Sequence, residues 1–333
     1  MKNSVHKRAR PKGAGKGRAV DLTARAEVSA VIDGIELRRD HLIECLHRIQ
    51  DAYKHLSTRH LTALADLLQL APAEVYEVAT FYHHFDLVRD GEDAPPSLTV
   101  RVCDSVSCAL FGAESLINEL ESQFGEGVRI QRVPCVGRCD AAPVAVVGQN
   151  PVGHADAAKV SACVDQGQVG PQTPVDWVRY DAYCADNGYA LAKRCQDDPE
   201  LGKVIIDTLD SSGLRGLGGA GFPAGRKWRI LKDQVAPRLM AVNIDEGEPG
   251  TFKDRYYLER DPHRFLEGVL IAARVVGIDS CYLYVRDEYP GVIEILKAAI
   301  EELKAGFGRP LPELIVRRGA GAYICGEESA MIE

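Results

Sequence analysis

The sequence lacks a long uninterrupted run of apolar residues. The nearest stretch, LEGVLIAARVVG, is too short to cross a bilayer and contains Glu267 and Arg274. The first 22 residues are basic and rich in glycine, and they lack the apolar segment of a secretory signal. Their composition is typical of a disordered, solvated tail. The sequence therefore predicts neither a membrane span nor export by a signal peptide.

The sequence also lacks an excess of positive charge. Its 48 acidic residues outnumber its 40 Lys and Arg residues, and the formal net charge of −8 argues against a nucleic-acid partner. Ten cysteines without an export signal argue against a disulfide scaffold. We therefore expect a reducing, cytoplasmic compartment and, for 333 residues, two or three domains.

Four of the cysteines are spaced as two ligand pairs, and the other six are scattered and are interpreted as ordinary thiols. Cys103 and Cys108 form a C-x4-C pair, and Cys135 and Cys139 form a C-x3-C pair. Thiolates suit iron–sulfur clusters or zinc, and structural zinc sites more often use C-x2-C pairs. The wider spacing therefore favours a [2Fe–2S] cluster. A zinc site and four unrelated cysteines are the alternative interpretations.

The order of predicted elements indicates a helical segment and two α/β regions. Apolar residues at helical spacing predict helices between about residues 39 and 86, one of them with Pro72 in its first turn. A strand–helix–strand–strand–helix order over 98–166 fits a small domain of thioredoxin-like type, with each cysteine pair at a strand end. The Gly/Pro-rich segment 167–178 predicts a linker, and strands alternate with helices from about residue 180.

The second α/β region contains three loops that combine glycine with charged residues. Segment 216–221 (GLGGAG) matches G-x-G-x-x-G, but it follows a predicted helix and not a strand, which argues against an ordinary Rossmann turn. Its backbone could approach a flat or phosphorylated ligand, and a surface loop is an equally good interpretation. Segments 243–250 (NIDEGEPG) and 319–328 (GAGAYICGEE) follow strands, where either a ligand site or ordinary acidic turns would explain them.

These motifs resemble known redox proteins. GLRGLGGAGFPAGRKW, NIDEGEPGTFKDRYYLERDPH and RRGAGAYICGEES resemble the flavin-bearing, NADH-oxidising subunit of respiratory complex I. The first half, from AEVYEVATFYHHF through CDSVSC and CVGRC, resembles the neighbouring 24-kDa-type subunit. Having both in one polypeptide is similar to the fused diaphorase (beta) subunits of soluble NAD-dependent formate dehydrogenases and of NAD-reducing hydrogenases.

The resemblance implies an α/β fold in which an N-terminal helical bundle and a thioredoxin-like [2Fe–2S] ferredoxin domain precede a Rossmann-like FMN/NADH-binding domain. The expected divisions are a disordered basic tail, the bundle, the thioredoxin-like domain, a linker and the FMN/NAD-binding domain, at 1–22, 23–90, 96–168, 169–180 and 181–333. The family also carries a ubiquitin-like segment and a C-terminal helical part that binds a [4Fe–4S] cluster. Neither is in this sequence, so we expect a fragment whose FMN domain is incomplete.

The resemblance also implies ligands for the cluster and the flavin. Cys103, Cys108, Cys135 and Cys139 would bind the [2Fe–2S] cluster. The residues that would line the flavin or stand beside it come from the glycine-rich loop: Gly216, Gly218, Gly219, Gly221 and Lys227. The residues that would hydrogen-bond its ribityl chain and ring follow a strand: Asn243, Asp245 and Glu246.

A second group of residues would serve NAD(H). Glu248 would hold the nicotinamide amide and is the residue expected to be catalytic. Phe222 would stack on the adenine, and Ile230 stands where the family can carry a second aromatic residue. The residues that would close the cavity come from the third loop: Tyr323, Gly326, Glu327 and Glu328.

The implied function is hydride transfer between NAD(H) and FMN, followed by single-electron steps that involve the [2Fe–2S] cluster. We expect the partner to be a catalytic metal–pterin alpha subunit of a formate dehydrogenase, because of the NIDEGEPGTFKDRY stretch and the fused layout. Hydrogenase subunits or a complex I-type NADH dehydrogenase are the alternatives. A non-catalytic iron–sulfur electron-transfer module and a zinc-binding adaptor are alternatives of another class.

Overall fold

The computed structural model describes residues 19–217 and 219–332. The described residues fall into two compact units: the first holds those up to 81 and those of 85–94, and the second holds 82–84 and those from 95 onward. Most of the predicted basic tail lies outside the described residues. Near the start of the described residues, Asp21 caps the first helix, because its carboxylate accepts hydrogen bonds from the backbone N–H groups of Thr23 and Ala24.

The described part of the first unit is mainly helical. Its elements are α1 Leu22–Val31, α2 Leu42–Tyr53, β1 Leu56–Ser57, α3 Thr58–Leu68, α4 Pro72–Phe81 and β2 Leu87–Val88. Leu46, Ile49 and Leu64 are fully buried, as their helical spacing predicts. The Ser57 hydroxyl caps α3 by accepting from the backbone N–H of His60. The helices predicted between residues 39 and 86 are confirmed, and α1 lies almost entirely within the bundle expected at 23–90, where apolar spacing had predicted no separate helix.

The second unit begins with a four-stranded sheet flanked by helices. These elements are β3 Thr99–Cys103, α5 Val106–Leu110, α6 Ala113–Phe124, β4 Arg129–Val133, β5 Ala145–Val147, β6 Asn150–Val152 and α7 Ala157–Asp165. The strand order is β4-β3-β5-β6, with β3 parallel to β4 and antiparallel to β5. The predicted order of strands and helices is confirmed.

The rest of the second unit is an α/β region. Its elements are α8 Tyr180–Ala185, α9 Ala190–Asp197, α10 Leu201–Ser212, α11 Ala224–Lys232, β7 Leu239–Ile244, α12 Lys253–Leu258, α13 Pro262–Val276, β8 Ser280–Val285, α14 Pro290–Gly306, β9 Glu313–Arg318 and α15 Glu328–Ile332. Strands β7, β8 and β9 form a parallel sheet in that order, joined by α12 and α13 and then by α14. None of the described helices is long and apolar enough to cross a membrane.

This parallel sheet positions the candidate site. Alternate residues of the central strand β8, Cys281, Leu283 and Val285, are fully buried because successive side chains point to opposite faces. The carboxyl ends of parallel strands meet at one edge of a sheet, where ligands commonly bind. Segments 245–250 and 319–328 leave β7 and β9 at this edge.

The predicted strands of this region and the two long helices α13 and α14 are confirmed. Helices α8, α9, α11 and α12 were not predicted, because all four are short and carry charges that obscure an apolar face. Lys227, which was expected to follow a loop, lies within α11 and is exposed.

Candidate functional site

The four paired cysteines lie at neighbouring strand ends. Cys103 is the last residue of β3, and Cys108 lies in the following short helix α5. Cys135 and Cys139 follow β4, which pairs with β3 in parallel. Three of the thiols are buried, and that of Cys139 is partly exposed. The two pairs, although distant in sequence, therefore meet at one edge of the sheet.

The sulfur atoms of these residues contact one another. The Cys103 thiol hydrogen-bonds to Cys108 and accepts from Cys135, whose Sγ lies 3.4 Å from the Sγ of Cys139. The hydrogen bond to Cys108, together with burial, raises the pKa of Cys103 to about 11. Such a thiol keeps its proton at neutral pH unless a metal displaces it. Four convergent sulfur donors fit a [2Fe–2S] cluster.

Two backbone amides point at these sulfurs. The N–H of Gly137 donates to Cys135 Sγ at 3.4 Å, from within the same loop. The N–H of Gly250 donates to Cys139 Sγ at 3.2 Å, and Gly250 ends the NIDEGEPG loop that follows β7. This second contact joins the candidate cluster site to the candidate flavin site.

Gly137 occupies a position that only glycine suits. Its φ is +69°, and an added Cβ would lie 2.2 Å from the hydroxyl oxygen of Tyr289. Tyr289 is fully buried and donates to the Gly137 carbonyl at 3.4 Å. The loop between Cys135 and Cys139 is therefore packed closely against the α/β region.

The glycine-rich loop between α10 and α11 closes on itself. Arg215 and Pro223 form an isolated antiparallel bridge, and the N–H of Gly216 donates to the Phe222 carbonyl at 2.9 Å. The Phe222 ring is 43% exposed and lies 5.8 Å from the guanidinium carbon of Arg226. Phe222 is thus open to solvent, as a ring that stacks on a ligand must be.

The remaining glycines of this loop leave their backbone accessible. Among the described residues, no atom lies within 4 Å of a Cβ added to Gly219 or Gly221, and Gly221 has a φ of +54°. Gly218 lies outside the described residues. An open backbone of this kind can approach a phosphate or a flat ring, so the loop fits the FMN that the sequence predicts.

Asn243 and Asp245 lie at the carboxyl end of β7 and reach Gly326. Asn243 Nδ2 donates to the Gly326 carbonyl at 2.8 Å, and its Oδ1 accepts from the N–H of Asp245 at 3.0 Å. The Oδ2 atom of Asp245 is buried, and no described residue hydrogen-bonds to it. An unpartnered buried oxygen is costly, so a polar ligand group is a natural partner for it.

The acidity of Asp245 is unusual. Burial raises its pKa to about 7 and Glu288 adds to this effect, whereas Arg286 and a hydrogen bond from the backbone of Gly326 to the carboxylate oppose it. A carboxyl with this pKa can donate or accept a hydrogen bond near neutral pH. Both properties fit the predicted contact of Asp245 with the flavin.

Glu246 lies inside the protein. Its carboxylate accepts from the backbone N–H groups of Asp254 at 2.9 Å and Arg255 at 3.3 Å, and from the Tyr289 hydroxyl at 3.0 Å. A carboxylate at this place stabilises the amino-terminal end of α12. The protein itself therefore engages Glu246, and its contact with the flavin stays a prediction.

Glu248 and Tyr323 meet at the protein surface. The Tyr323 hydroxyl donates to Glu248 Oε1 at 3.3 Å, and Tyr323 is 68% exposed. The Tyr323 ring packs on Gly247, where an added Cβ would lie 3.0 Å from its Cδ2. The structure thus brings together two residues that the sequence assigned to one cavity, and both can reach a ligand.

The acidic residues after Gly326 belong to the start of a helix. The Glu327 carboxylate accepts from the N–H groups of Ser329 and Ala330, and hydrogen bonding, foremost from the Ser329 side chain, lowers its pKa. Glu328 is the first residue of α15 and is exposed. Glu327 therefore stabilises this helix end, and a role of either residue in closing the cavity stays a prediction.

Sequence reasoning missed two arginines at this site. Arg255 in α12 donates to Asp140, which is 115 positions away, and Arg286 donates to the carbonyl of Cys135, which is 151 positions away. No short motif links residues at such separations. A weak signal existed for Arg255 alone, because KDR lies within the stretch NIDEGEPGTFKDRYYLERDPH.

Two family models match the chain. Residues 28–168 match the thioredoxin-like [2Fe-2S] ferredoxin family, and residues 209–333 match the Nuo51 FMN-binding domain. The first match contains all four paired cysteines, and the second contains the three glycine and acid loops.

Individual relatives extend these matches. The chain is 50% identical over 163 residues to an NADH-quinone oxidoreductase subunit of Aquifex aeolicus, covering 46% of this chain and 37% of that protein. It is 29% identical over 351 residues to the NAD-reducing hydrogenase HoxS subunit alpha of Cupriavidus necator, covering 92% of this chain and 57% of that protein. The chain thus spans about half the length of the relatives it matches.

Solved structures show a similarity over most of the chain. The crystal structure of an NAD+-reducing [NiFe]-hydrogenase in the air-oxidised state is 31% identical, with a TM-score of 0.71, and covers 88% of this chain and 53% of that chain. The H2-reduced state gives a TM-score of 0.72 at 30% identity. The similarity therefore extends across both the ferredoxin region and the α/β region.

These comparisons confirm the predicted fold class and the predicted [2Fe–2S] and FMN cofactors at the level of domains. None of the relatives reported above is a formate dehydrogenase, so the assignment to a formate dehydrogenase stays a prediction. The chain fuses a thioredoxin-like [2Fe–2S] ferredoxin domain of the 24-kDa type to an FMN-binding domain of the 51-kDa type, and its match to the NAD-reducing hydrogenase subunit covers 92% of this chain.

Proposed function

We propose that this chain is the NAD(H)-reacting electron-transfer module of a larger redox enzyme. The observation that carries the proposal is the hydrogen bond from Gly250 N–H to Cys139 Sγ. It puts the loop expected to hold the flavin and nicotinamide in direct contact with a cysteine expected to bind the cluster. Short separations of this kind suit electron transfer between two bound cofactors.

Cys103, Cys108, Cys135 and Cys139 are the proposed cluster ligands, and their contacts with one another support this role. FMN would lie against the open glycine-rich loop and the carboxyl end of β7. When bound, FMN supplies the link between two-electron hydride chemistry and one-electron chemistry. Asn243, which hydrogen-bonds to the Gly326 carbonyl, and the buried Oδ2 of Asp245 would orient the ring.

Glu248 is the proposed nicotinamide contact. Its carboxylate is exposed and accepts from Tyr323 at 3.3 Å, which fixes its direction and leaves lone pairs for a carboxamide N–H. Because hydride transfer between nicotinamide and flavin needs no protein base, we assign Glu248 a binding and orienting role.

The proposed partner is a metal–pterin alpha subunit of a formate dehydrogenase, which would deliver electrons for NAD+ reduction. The fused layout and the NIDEGEPGTFKDRY stretch support this choice. Hydrogenase subunits are a second candidate, favoured by the match to a hydrogenase subunit over 92% of this chain. We also propose a cytoplasmic location, because all ten cysteines are free thiols, as a reducing compartment favours.

The first experiment measures iron, sulfide, zinc and FMN in the purified protein, and then NADH-dependent bleaching of its visible spectrum under anaerobic conditions. We expect iron and sulfide in equal amounts and loss of the cluster absorption and the reduced-state EPR signal in Cys135→Ser. Cys163→Ser, outside the proposed ligand set, is the matched control. Zinc without iron, or an unchanged signal in Cys135→Ser, would contradict the assignment.

The second experiment identifies the partner. The tagged chain is isolated from its source cells, its largest associated protein is identified by mass spectrometry, and NAD+ reduction is assayed with formate and with hydrogen. Formate-dependent reduction supports the first candidate, and hydrogen-dependent reduction supports the second. A complex that holds the cluster but reacts with neither NAD+ nor NADH would favour a non-catalytic electron-transfer module.

A further inference from the structure

Two buried arginines of the α/β region contact the loop that carries Cys135 and Cys139. Arg255, in α12, donates from Nη2 to Asp140 Oδ1 at 2.6 Å and from Nε to the Gly137 carbonyl at 3.1 Å. It is only 5% exposed. Asp140 directly follows Cys139, so the guanidinium is fixed beside the candidate cluster site.

Arg286 makes the second contact from the end of β8. Its Nη2 donates to the carbonyl of Cys135 at 2.6 Å, and its Nη1 donates to the carbonyl of Glu246. It is 3% exposed. Its charge is met by Glu288, whose carboxylate oxygens lie 2.9 and 3.1 Å from Nη2 and Nε.

The charges around Arg255 form a defined network. Glu259 Oε2 accepts from Arg255 Nη1 at 2.9 Å, and Glu259 Oε1 accepts from Arg138 Nη2 at 3.2 Å. Arg138 directly precedes Cys139. A buried guanidinium that loses one of its acidic partners becomes costly, so this geometry is held tightly.

A redox cluster responds to such charges. One-electron reduction adds negative charge to a cluster, so a fixed positive charge nearby favours the reduced form and a negative charge opposes it. Groups around the ligands tune metal sites in this way. The low solvent exposure of Arg255 preserves the effect, because little water screens its charge.

We propose that Arg255 and Asp140 form a charge pair that sets the reduction potential of the [2Fe–2S] cluster, so that the FMN domain controls the potential of the cluster in the ferredoxin domain. Arg255 is a positioning residue, since it acts through the cluster loop. This inference rests on the proposal that the four cysteines bind the cluster. It goes beyond that proposal because it assigns the control of potential to a residue outside the ferredoxin domain.

The test is an EPR-monitored redox titration of the cluster in the purified wild-type protein and four variants. In Arg255→Met we expect the ratio of reduced to oxidised cluster at a fixed potential to fall about tenfold, which is about 59 mV for a one-electron couple. Arg255→Lys keeps the charge and should restore most of the wild-type potential. Asp140→Asn removes the opposing charge and should shift the potential upward.

The matched control is Arg264→Met, which removes one positive charge from an exposed pair with Asp261 in the same α/β region. It should leave the potential unchanged. A purely structural role of Arg255 would make Arg255→Met and Asp140→Asn shift in the same direction, and this result, or a shift in Arg255→Met no larger than in Arg264→Met, would overturn the proposal.

Two further outcomes are distinguishable. If Arg255→Met does not retain the cluster, Asp140→Asn decides, because an upward shift supports the proposal and no shift overturns it. If the wild-type protein itself contains no iron–sulfur cluster, the cluster assignment fails first, and this inference fails with it. Iron and sulfide analysis of the wild-type protein separates that case from all others.

Discussion

Asp245 and Glu248 lie three residues apart in the loop after β7, but their environments differ. Asp245 has a buried oxygen without a protein partner and a pKa raised by burial to about 7. Glu248 is exposed and hydrogen-bonds to Tyr323. The first is suited to a ligand that reaches the interior of the site, and the second to one that binds from solvent.

At Glu248, we predict that substitution by glutamine weakens the use of NADH and leaves the fold intact. Glu248→Gln removes the charge that accepts from a carboxamide N–H, a loss of about 1–3 kcal/mol for a hydrogen bond to a charged group. Steady-state kinetics with NADH measures the effect. Tyr323→Phe is the companion variant, because it removes the hydroxyl that orients Glu248 and should have a smaller effect of the same kind. A large loss of FMN in Glu248→Gln would show that the residue serves the flavin.

At Asp245, we predict that Asp245→Asn stabilises the protein at pH 8. An isolated aspartate has a pKa near 3.8 and the folded protein raises it to about 7, so the stability contributed by the protonated carboxyl is present below about pH 4 and is lost as the pH rises through 7. Asparagine stays neutral. The expected gain at pH 8 is about 1–2 kcal/mol after allowance for partial solvent exposure.

Thermal unfolding at pH 5 and pH 8, at matched FMN content, measures this effect. For a unit of this size, each kcal/mol of added stability should raise the melting temperature by about 2–4 °C. The rise in Asp245→Asn should be larger at pH 8 than at pH 5. Asp181→Asn, on an exposed position of α8, is the control. Equal shifts at the two pH values would mean that ionisation of Asp245 is not the cause.

Residue types and spacing were sufficient to locate the cysteines and the three loops, because each depends on a short stretch of sequence. Arg255 could not be found in this way. Its partner Asp140 is 115 positions away, and an arginine in a short helix is ordinary in composition. The role of Glu246 at the start of α12 was hidden for the same reason, because α12 was not predicted.

At the scale of elements, α13 and α14 are tied together by a buried histidine. His263 in α13 is fully buried; its Nδ1 lies 2.8 Å from the Tyr189 hydroxyl and its Nε2 lies 3.1 Å from Glu302 in α14. Burial lowers the pKa of His263, although Glu302 partly opposes this. Both ring nitrogens are thus engaged, and the ring is neutral at pH 7.

We predict that this histidine contributes to loss of stability in acid. In the unfolded chain, histidine has a pKa near 6.5, whereas the pKa of His263 in the folded protein is lower. As the pH decreases, the unfolded chain therefore binds the proton first, and the stability of the folded protein falls below about pH 6.5. His263→Gln should reduce the difference in melting temperature between pH 7.5 and pH 5.5. The contribution is about 1.4 kcal/mol for each unit by which the pKa is lowered.

The control for this measurement is His83→Gln, because His83 is exposed in the same unit. It should leave the pH dependence as in the wild-type protein. If the melting temperature falls by the same amount between pH 7.5 and pH 5.5 in His263→Gln and in the wild-type protein, His263 does not titrate on unfolding.

The elements themselves were largely predictable. Helices α13 and α14 have 15 and 17 residues and clear apolar periodicity, and β8 alternates between the sheet faces. Helix α11 escaped because Gly225 and four basic residues interrupt its pattern. The position of α11 is set by close packing against α10, since an added Cβ on Gly225 would lie 2.4 Å from Asp210 Oδ1 near the end of α10.

At the scale of the whole molecule, the second unit joins the ferredoxin region and the α/β region through buried polar contacts. Arg138 pairs with Glu259 at 3.2 Å, and Tyr289 donates to Gly137 across the same boundary. Arg286 reaches the carbonyl of Cys135. Contacts of this kind are expensive to expose one at a time, so the two regions should unfold together.

Tyr289 provides the test of this coupling, because its hydroxyl contacts both regions. Its single hydroxyl hydrogen is shared between Glu246 Oε2, at 3.0 Å in the α/β region, and the Gly137 carbonyl, at 3.4 Å in the cluster loop. Tyr289→Phe keeps the ring and removes one donor, and both acceptors still accept from Arg255, so the unit should be destabilised by about 1–2 kcal/mol. During heating, the midpoint temperatures measured by far-ultraviolet circular dichroism and by visible cluster absorbance should fall together. Tyr257→Phe, at a 65% exposed position, should change neither midpoint temperature. A cluster signal that stays at the wild-type temperature while the dichroism shifts would show that the ferredoxin region unfolds on its own.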